Sequence, residues 1–406
     1  MREIALLIVA TLCTASAWAE PMHSAIERGR YLAAAGDCAA CHTADGGKPY
    51  AGGRPVPTPF GVIYSTNITP DKETGIGRWT EERFYQAMHE GISADGKHLY
   101  PAFPYPWYTK LSRDDVDAIK AFLDALPPVR EENKQTALPW PFSVREVMAG
   151  WNTLYFHKGD FKPDPGQSAE WNRGAYLVEG LGHCSACHTP KNIAGGLKTG
   201  QKLEGGYGEN WYATSLTNDV RDGLGDWTLD DIVQYLKTGA NAKAAATGPM
   251  AEVIENSTQH LNDADLRAIA AYLRSVPGRN EAKSPETDKQ RLARGEALYI
   301  DQCSGCHMED GSGQPQVFPP LKGNAVVQAR EPGAMLHMII DGARIAATKS
   351  NPTGLAMPAF GWKLTDQDIA ELATYLRAAW GNKAAPVAVS DVKKTRDRVA
   401  KAARAQ

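Results

Sequence analysis

Cysteine appears in this chain in essentially one arrangement. Of 7 cysteines, six fall into three C-x-x-C pairs, each followed directly by histidine: Cys38, Cys41 and His42; Cys184, Cys187 and His188; Cys303, Cys306 and His307. The seventh, Cys13, lies in the N-terminal apolar run, so no cysteine is left for a structural disulfide. Two thiols one helical turn apart can form thioethers to a macrocycle, and the adjacent imidazole then reaches its iron. This is the attachment pattern of c-type haem. A single copy would also suit a thioredoxin-like redox pair or half a zinc site. Three copies, each with its histidine, set those readings aside and predict three covalently bound haem c groups.

The motif sits inside a repeated unit. Each copy opens on an Arg-Gly and an apolar turn: RGRYL from Arg28, RGAYL from Arg173 and RGEALY from Arg294. Each closes on a longer amphipathic helix, beginning at Leu111, Leu261 and Leu364. Ser112, Asn262 and Thr365 occupy N-cap positions, and Asp115, Asp265 and Asp368 follow three residues later, close to a capping box. Between them, Thr74–Gly91 matches Asp222–Gly239, both with a Trp-Thr helix start and a terminal Gly. The chain of 406 residues is long for a single core. The expected fold is mostly α, three tandem class I cytochrome c-like domains, each around one haem. The expected divisions are a signal peptide at 1–19, domains at 20–126, 168–277 and 291–385, linkers at 127–167 and 278–290, and a basic tail at 386–406.

An iron that only transfers electrons takes a second axial ligand, and a thioether raises its potential. Met250 stands 62 residues after His188 (250 − 188) and Met357 stands 50 after His307 (357 − 307), both in Gly/Pro loops before the closing helix. In the first copy the same register, 61 residues after His42 (103 − 42), falls on Phe103 in LYPAFPYPWY. Phenylalanine cannot ligate iron. Met88 matches core positions Leu236 and Ile339, and Met22 stands at the mature N-terminus. Elimination leaves Met148, in a segment with no counterpart in the other repeats, ahead of His98 and of an open position.

Arg2, the run IALLIVATLC and Ala17-Trp18-Ala19 form the three parts of a secretory leader, with cleavage expected after Ala19. No other apolar run approaches the length of a membrane span, so the mature chain is expected to be soluble or peripheral to a membrane. The net charge of −3 leaves no nucleic-acid footprint. Trp140, Trp151, Phe156 and Trp171 surround the first linker, where packing between domains is the commoner role of aromatics. His183 is expected at the surface or facing a haem propionate, and the basic tail is expected to be a solvated, frayed end.

The three C-x-x-C-H units, the Arg-Gly-x-Tyr-Leu openings, the YPAFPYPWY loop and the WTxxxIVQYLKTG-type helix together resemble the tri-haem cytochrome c subunit of membrane-associated bacterial dehydrogenases. Members of that family serve dehydrogenases of alcohols, aldehydes, sugars or sugar acids, including gluconate. The resemblance covers nearly the whole mature chain. It implies a catalytic partner subunit carrying a flavin, pyrroloquinoline quinone or molybdenum cofactor, and ubiquinone or an oxidase as acceptor. It also implies a place at the periplasmic, outer face of the inner membrane in a Gram-negative bacterium. It supports Met250 and Met357 as sixth ligands, and relatives carry either Met or Phe at the Phe103 position. The chain would then have no catalytic residue of its own. Two other functions remain at this point: a peroxidase-like enzyme using a five-coordinate first haem, and a free periplasmic electron shuttle.

Overall fold

A computed structural model describes residues 16–136, 138–279 and 287–403. Most of the expected leader, with Cys13, lies outside the described residues, as do the side chains of Ala17–Met22; the first helix is described from Ser16 to Ala35.

Each repeat is framed by two helices that cross. The opening helices are Ser16–Ala35, Ala169–Tyr176 and Lys289–Gln302, and the closing helices are Arg113–Asp124, Asp263–Ser275 and Asp366–Ala378. The Arg-Gly pair explains the crossing. A Cβ on Gly29 would lie 1.8 Å from the Ala118 carbonyl oxygen, one on Gly174 1.9 Å from that of Ala268, and one on Gly295 2.3 Å from that of Glu371. Only glycine permits so close an approach of two backbones. The neighbouring arginine then ties the crossing with an ion pair: Arg28 to Asp115 at 2.6 Å, Arg173 to Asp265 at 2.8 Å, and Arg294 to Glu371 at 2.7 Å.

Ser112, Asn262 and Thr365 each accept the backbone N–H three residues on, as their positions predict. The reciprocal half of the box closes only in the third repeat, where Asp368 accepts the Thr365 N–H at 3.0 Å. Asp115 and Asp265 are drawn away to the opening-helix arginines and to tyrosines of the opposite repeat. The middle helices Glu81–Glu90 and Leu229–Thr238 start on capping Thr80 and Thr228 and stop on left-handed Gly91 and Gly239. The few strands form short hairpins: Pro55–Thr58 with Gly61–Tyr64, Gly206–Gly208 with Trp211–Ala213, and Ala343–Arg344 with Ala356–Met357.

Three separate cores are the expectation, yet one continuous apolar cluster runs through the first two repeats, from Leu32 and Phe84 to Leu266 and Leu273. The third repeat keeps its own core around Tyr299, Leu336, Ile369 and Leu376. The C-terminal tail differs from its expectation. Val389–Ala403 is a helix, with Val392 fully buried, Val399 packed on the third core, and Arg396 paired to Asp366 at 2.8 Å. Its apolar residues are few but share one helical face, and burial of that face outweighs the local charge density. The first linker likewise contains an ordered helix, Val147–Tyr155.

Candidate functional site

The three C-x-x-C-H motifs fold as short helices, Cys38–His42, Ser185–His188 and Ser304–His307. In each, the histidine Nδ1 meets a backbone carbonyl: His42 with Thr66 at 2.6 Å, His188 with Thr214 at 2.6 Å, and His307 with Pro319 at 3.0 Å. A carbonyl only accepts, so Nδ1 carries the proton and the Nε2 lone pair is left free. That orientation is the one a metal-ligating imidazole needs. Burial also holds all three imidazoles below the ordinary histidine pKa, which keeps them neutral.

The six motif cysteines are unpaired. Burial pushes the Cys38, Cys184 and Cys303 thiols up to about 12. A thioredoxin-like pair needs the opposite shift, toward thiolate. Cys38 and Cys184 border the shared core, while Cys303 borders the third core.

The three loops that hold Phe103, Met250 and Met357 differ. Met250 begins the helix Pro249–Asn256 and packs against two apolar clusters; the preceding Gly248, at φ 57°, leaves room for the Trp211 ring, which a Cβ would approach to 2.8 Å. Met357 lies in the hairpin opposite Ala343 and packs on the same core as Cys303. Phe103 packs edge-on to Tyr108, with ring centroids 5.5 Å apart, against the shared core. Met88 is buried in that core, in keeping with a packing role. Met148 is buried in the helix Val147–Tyr155. Tyr105 ties that helix to the first repeat through Asn152, and Trp151 ties it to the second through the Ala194 carbonyl, at 2.9 Å. The His98 Nδ1 is buried without a hydrogen-bond partner.

The repeats interlock at these motifs, and position in the sequence gives no sign of it. Trp107, in the first repeat's Phe103 loop, donates its Nε1–H to Ser185 inside the second motif at 2.6 Å. Ser257, after the Met250 helix, donates to the Ala35 carbonyl beside the first motif at 3.2 Å. Arg54 donates to the Ala40 carbonyl within the first motif and to Glu252 of the Met250 helix, both at 2.7 Å. Cys187 of the second motif lies near enough to Cys41 of the first to act on its ionisation. His183 is drawn against the first repeat. It is half-buried at φ 36°, edge-on to Tyr108 of the first repeat, and burial pushes its pKa down to about 4. The second and third repeats meet where Thr247 pairs with Ile345, Ala346 donates to Ala246 at 3.1 Å, and Trp211 stacks on His337 at 3.7 Å. Trp151 and Phe156 pack between the linker helix and the repeats beside it, Trp171 packs within its own repeat against Tyr272, and Trp140 is 82 % exposed.

The family model of cytochrome c matches this chain three times, over residues 26–127, 172–277 and 292–380, and each segment contains one C-x-x-C-H motif. The chain belongs to the cytochrome c family. Three such segments fit three haem c groups. Among individual proteins, this cytochrome is 39 % identical to the gluconate 2-dehydrogenase cytochrome c subunit of Pantoea cypripedii, over 97 % of this chain and 94 % of that one. It is 42 % identical to the cytochrome c subunit of the quinone-type alcohol dehydrogenase of Gluconobacter oxydans, over 91 % of this chain and 82 % of that one. It is also 40 % identical to the fructose dehydrogenase cytochrome subunit of Gluconobacter japonicus, again over 91 % of this chain and 82 % of that one.

Proposed function

We propose that this cytochrome is the electron-transfer subunit of a dehydrogenase complex, carrying three haem c groups in a line. Cys38 and Cys41, Cys184 and Cys187, and Cys303 and Cys306 form the thioethers. His42, His188 and His307 would each ligate an iron, with Met250 and Met357 as second ligands for the second and third haems and Met148 for the first. Bound there, the haems supply one-electron iron chemistry. The polypeptide spaces them, keeps the imidazoles neutral and oriented, and excludes water.

The observation that carries this reading is the double engagement of the second repeat. It meets the first repeat through Trp107 and Ser185 and through Arg54 and Glu252, and it meets the third through Thr247 and Ile345. A linear relay needs a central member of this kind. The relatives' names support a catalytic dehydrogenase subunit as the partner; in this reading that subunit carries a flavin, pyrroloquinoline quinone or molybdenum cofactor and delivers electrons, and ubiquinone or an oxidase receives them.

The same reading places the chain in the periplasm, peripheral to the inner membrane. Among the described residues no helix is long and apolar enough to cross a membrane. The helix Val147–Tyr155 and its surroundings expose Trp140 at 82 %, Leu154 at 68 % and Ile193 at 98 %, a surface suited to lying against lipid.

The test is purification of the tagged chain from native membranes. Three haems per polypeptide, a co-purifying large dehydrogenase subunit and reduction of the haems by that subunit's substrate are expected. A chain with haem that returns alone from membranes would make it a free shuttle instead.

A further inference from the structure

Counting from the Arg-Gly pair, the first cysteine comes 10 residues on in the first repeat (38 − 28), 11 in the second (184 − 173) and 9 in the third (303 − 294). The extra residue of the second repeat relative to the first is taken up by a π-turn, Leu177–Leu181. Single-turn π-bulges of this kind are frequent at functional sites. At its centre stands Glu179, where the same count gives Ala34 in the first repeat (28 + 6) and Ile300 in the third (294 + 6). The carboxylate is peculiar to the second repeat.

Glu179 is buried, at 8 % exposure. Its Oε1 faces the Lys202 Nζ at 2.5 Å and accepts the Tyr272 hydroxyl. Its Oε2 lies 3.3 Å from the Nζ of Lys110, which also donates to the Glu179 backbone carbonyl at 3.1 Å. Lys110 belongs to the first repeat, in the stretch that follows Phe103. The turn leads directly to the haem-bearing residue: the Cys184 N–H donates to the Val178 carbonyl at 3.2 Å, and the Glu179 charge acts on the Cys184 sulfur. Burial would raise the Glu179 pKa, but Lys202 and Lys110, with hydrogen bonds from Lys202 and Tyr272, outweigh it and hold the group ionised.

We infer that Glu179 sets the reduction potential of the second haem, with Lys110 and Lys202 as opposing charges, and so fixes the place of that haem in the relay. A poorly solvated carboxylate near an iron favours the oxidised, more positive state, and an ammonium disfavours it. The first two repeats are thereby linked electrostatically as well as by packing, because one of the two cations comes from the first repeat. This inference rests on the three-haem reading above.

The experiment is a spectroelectrochemical titration of the full holo-chain, with the second haem's midpoint identified as the one displaced by Met250→His. Glu179→Gln is expected to raise that midpoint, while Lys110→Met and Lys202→Met lower it, with the other two midpoints moving less. Opposite signs are the signature, since loss of a merely structural clamp would move the midpoint the same way whichever partner is removed. Shifts of one sign in all variants, or no shift, overturn the inference. Should Glu179→Gln fail to mature, the two lysine variants carry the test, and an unchanged or raised midpoint in both overturns it. A wild-type chain with fewer than three haems refutes the underlying reading instead.

Discussion

Tyr31, in the opening helix of the first repeat, donates its hydroxyl to Asp265 at the head of the second repeat's closing helix, 2.6 Å away. Tyr176 returns the same contact to Asp115 of the first repeat. The two repeats thus exchange equivalent tyrosines across an approximate two-fold, and each aspartate also holds its own repeat's arginine. The third repeat has Ala297 at the corresponding place (294 + 3) and takes no part. Replacing one tyrosine by phenylalanine leaves a buried carboxylate short of one donor and should cost about 1 kcal/mol. Thermal unfolding followed by haem absorbance is expected to show the first two repeats weakened together in Tyr31→Phe, with the third unaffected.

The same aspartate predicts an acid response. Burial works to raise the Asp265 pKa, but Arg173 and Tyr31 outweigh it and hold the carboxyl below its ordinary 3.8. Its stabilising contribution is therefore complete above the ordinary value and is lost as pH falls through the lowered native one. Asp265→Asn should be less stable than the parent at pH 7. The difference between the two melting temperatures should narrow below about pH 4; a constant difference across that range would refute the assignment.

The Arg-Gly glycines are predicted to tolerate no side chain. A methyl at Gly29 would stand 1.8 Å from the Ala118 carbonyl oxygen. Gly29→Ala must therefore push the two framing helices apart, at a cost of about 3 kcal/mol or more. Gly46, whose Cβ would meet nothing within 4 Å, serves as the control; its alanine variant is strained only by its φ of 67°. Haem content per purified polypeptide should fall in the first variant far more than in the second.

Met148 as distal ligand would make the first haem six-coordinate. The dithionite-reduced wild type should then be unmoved by carbon monoxide, while in Met148→Ala about one-third of the haem absorbance should shift, one site of three. A silent Met148→Ala together with a shift in His98→Ala would assign the ligand to His98, whose Nδ1 is buried and unpartnered.

The C-terminal helix is predicted to be part of the third domain's core. Val392→Asp places a charge at a fully buried position and should destabilise the third repeat by about 3 kcal/mol or more. Proteolysis of the variant should release a fragment from the third repeat first, leaving the fused first and second repeats intact.

Local chemistry explains what is legible in the sequence. Ser112, Asn262 and Thr365 cap their helices because a short polar side chain reaches the free N–H three residues on, whatever the rest of the chain does. The Arg-Gly signature is visible as a repeat, but the reason for it, a backbone-to-backbone crossing tied by an ion pair, needs both helices in place. The extra residue before Cys184 can be counted; that it becomes a π-turn presenting Glu179 cannot. His183 and the C-terminal helix escape a sequence reading for the same reason, since partners far along the chain decide whether a polar or charged stretch is covered.

The sequence alone determined the cofactor, because thioether attachment and the adjacent histidine depend on residue types at fixed short spacing. The tertiary structure alone decided how the three units are joined: two fused through exchanged tyrosines and interlocked motifs, the third attached to the second through contacts such as Thr247 with Ile345 and Trp211 with His337. Contacts such as that between Tyr31 and Asp265 join residues 234 positions apart, and no local pattern encodes a partner whose position is set only when both repeats have packed.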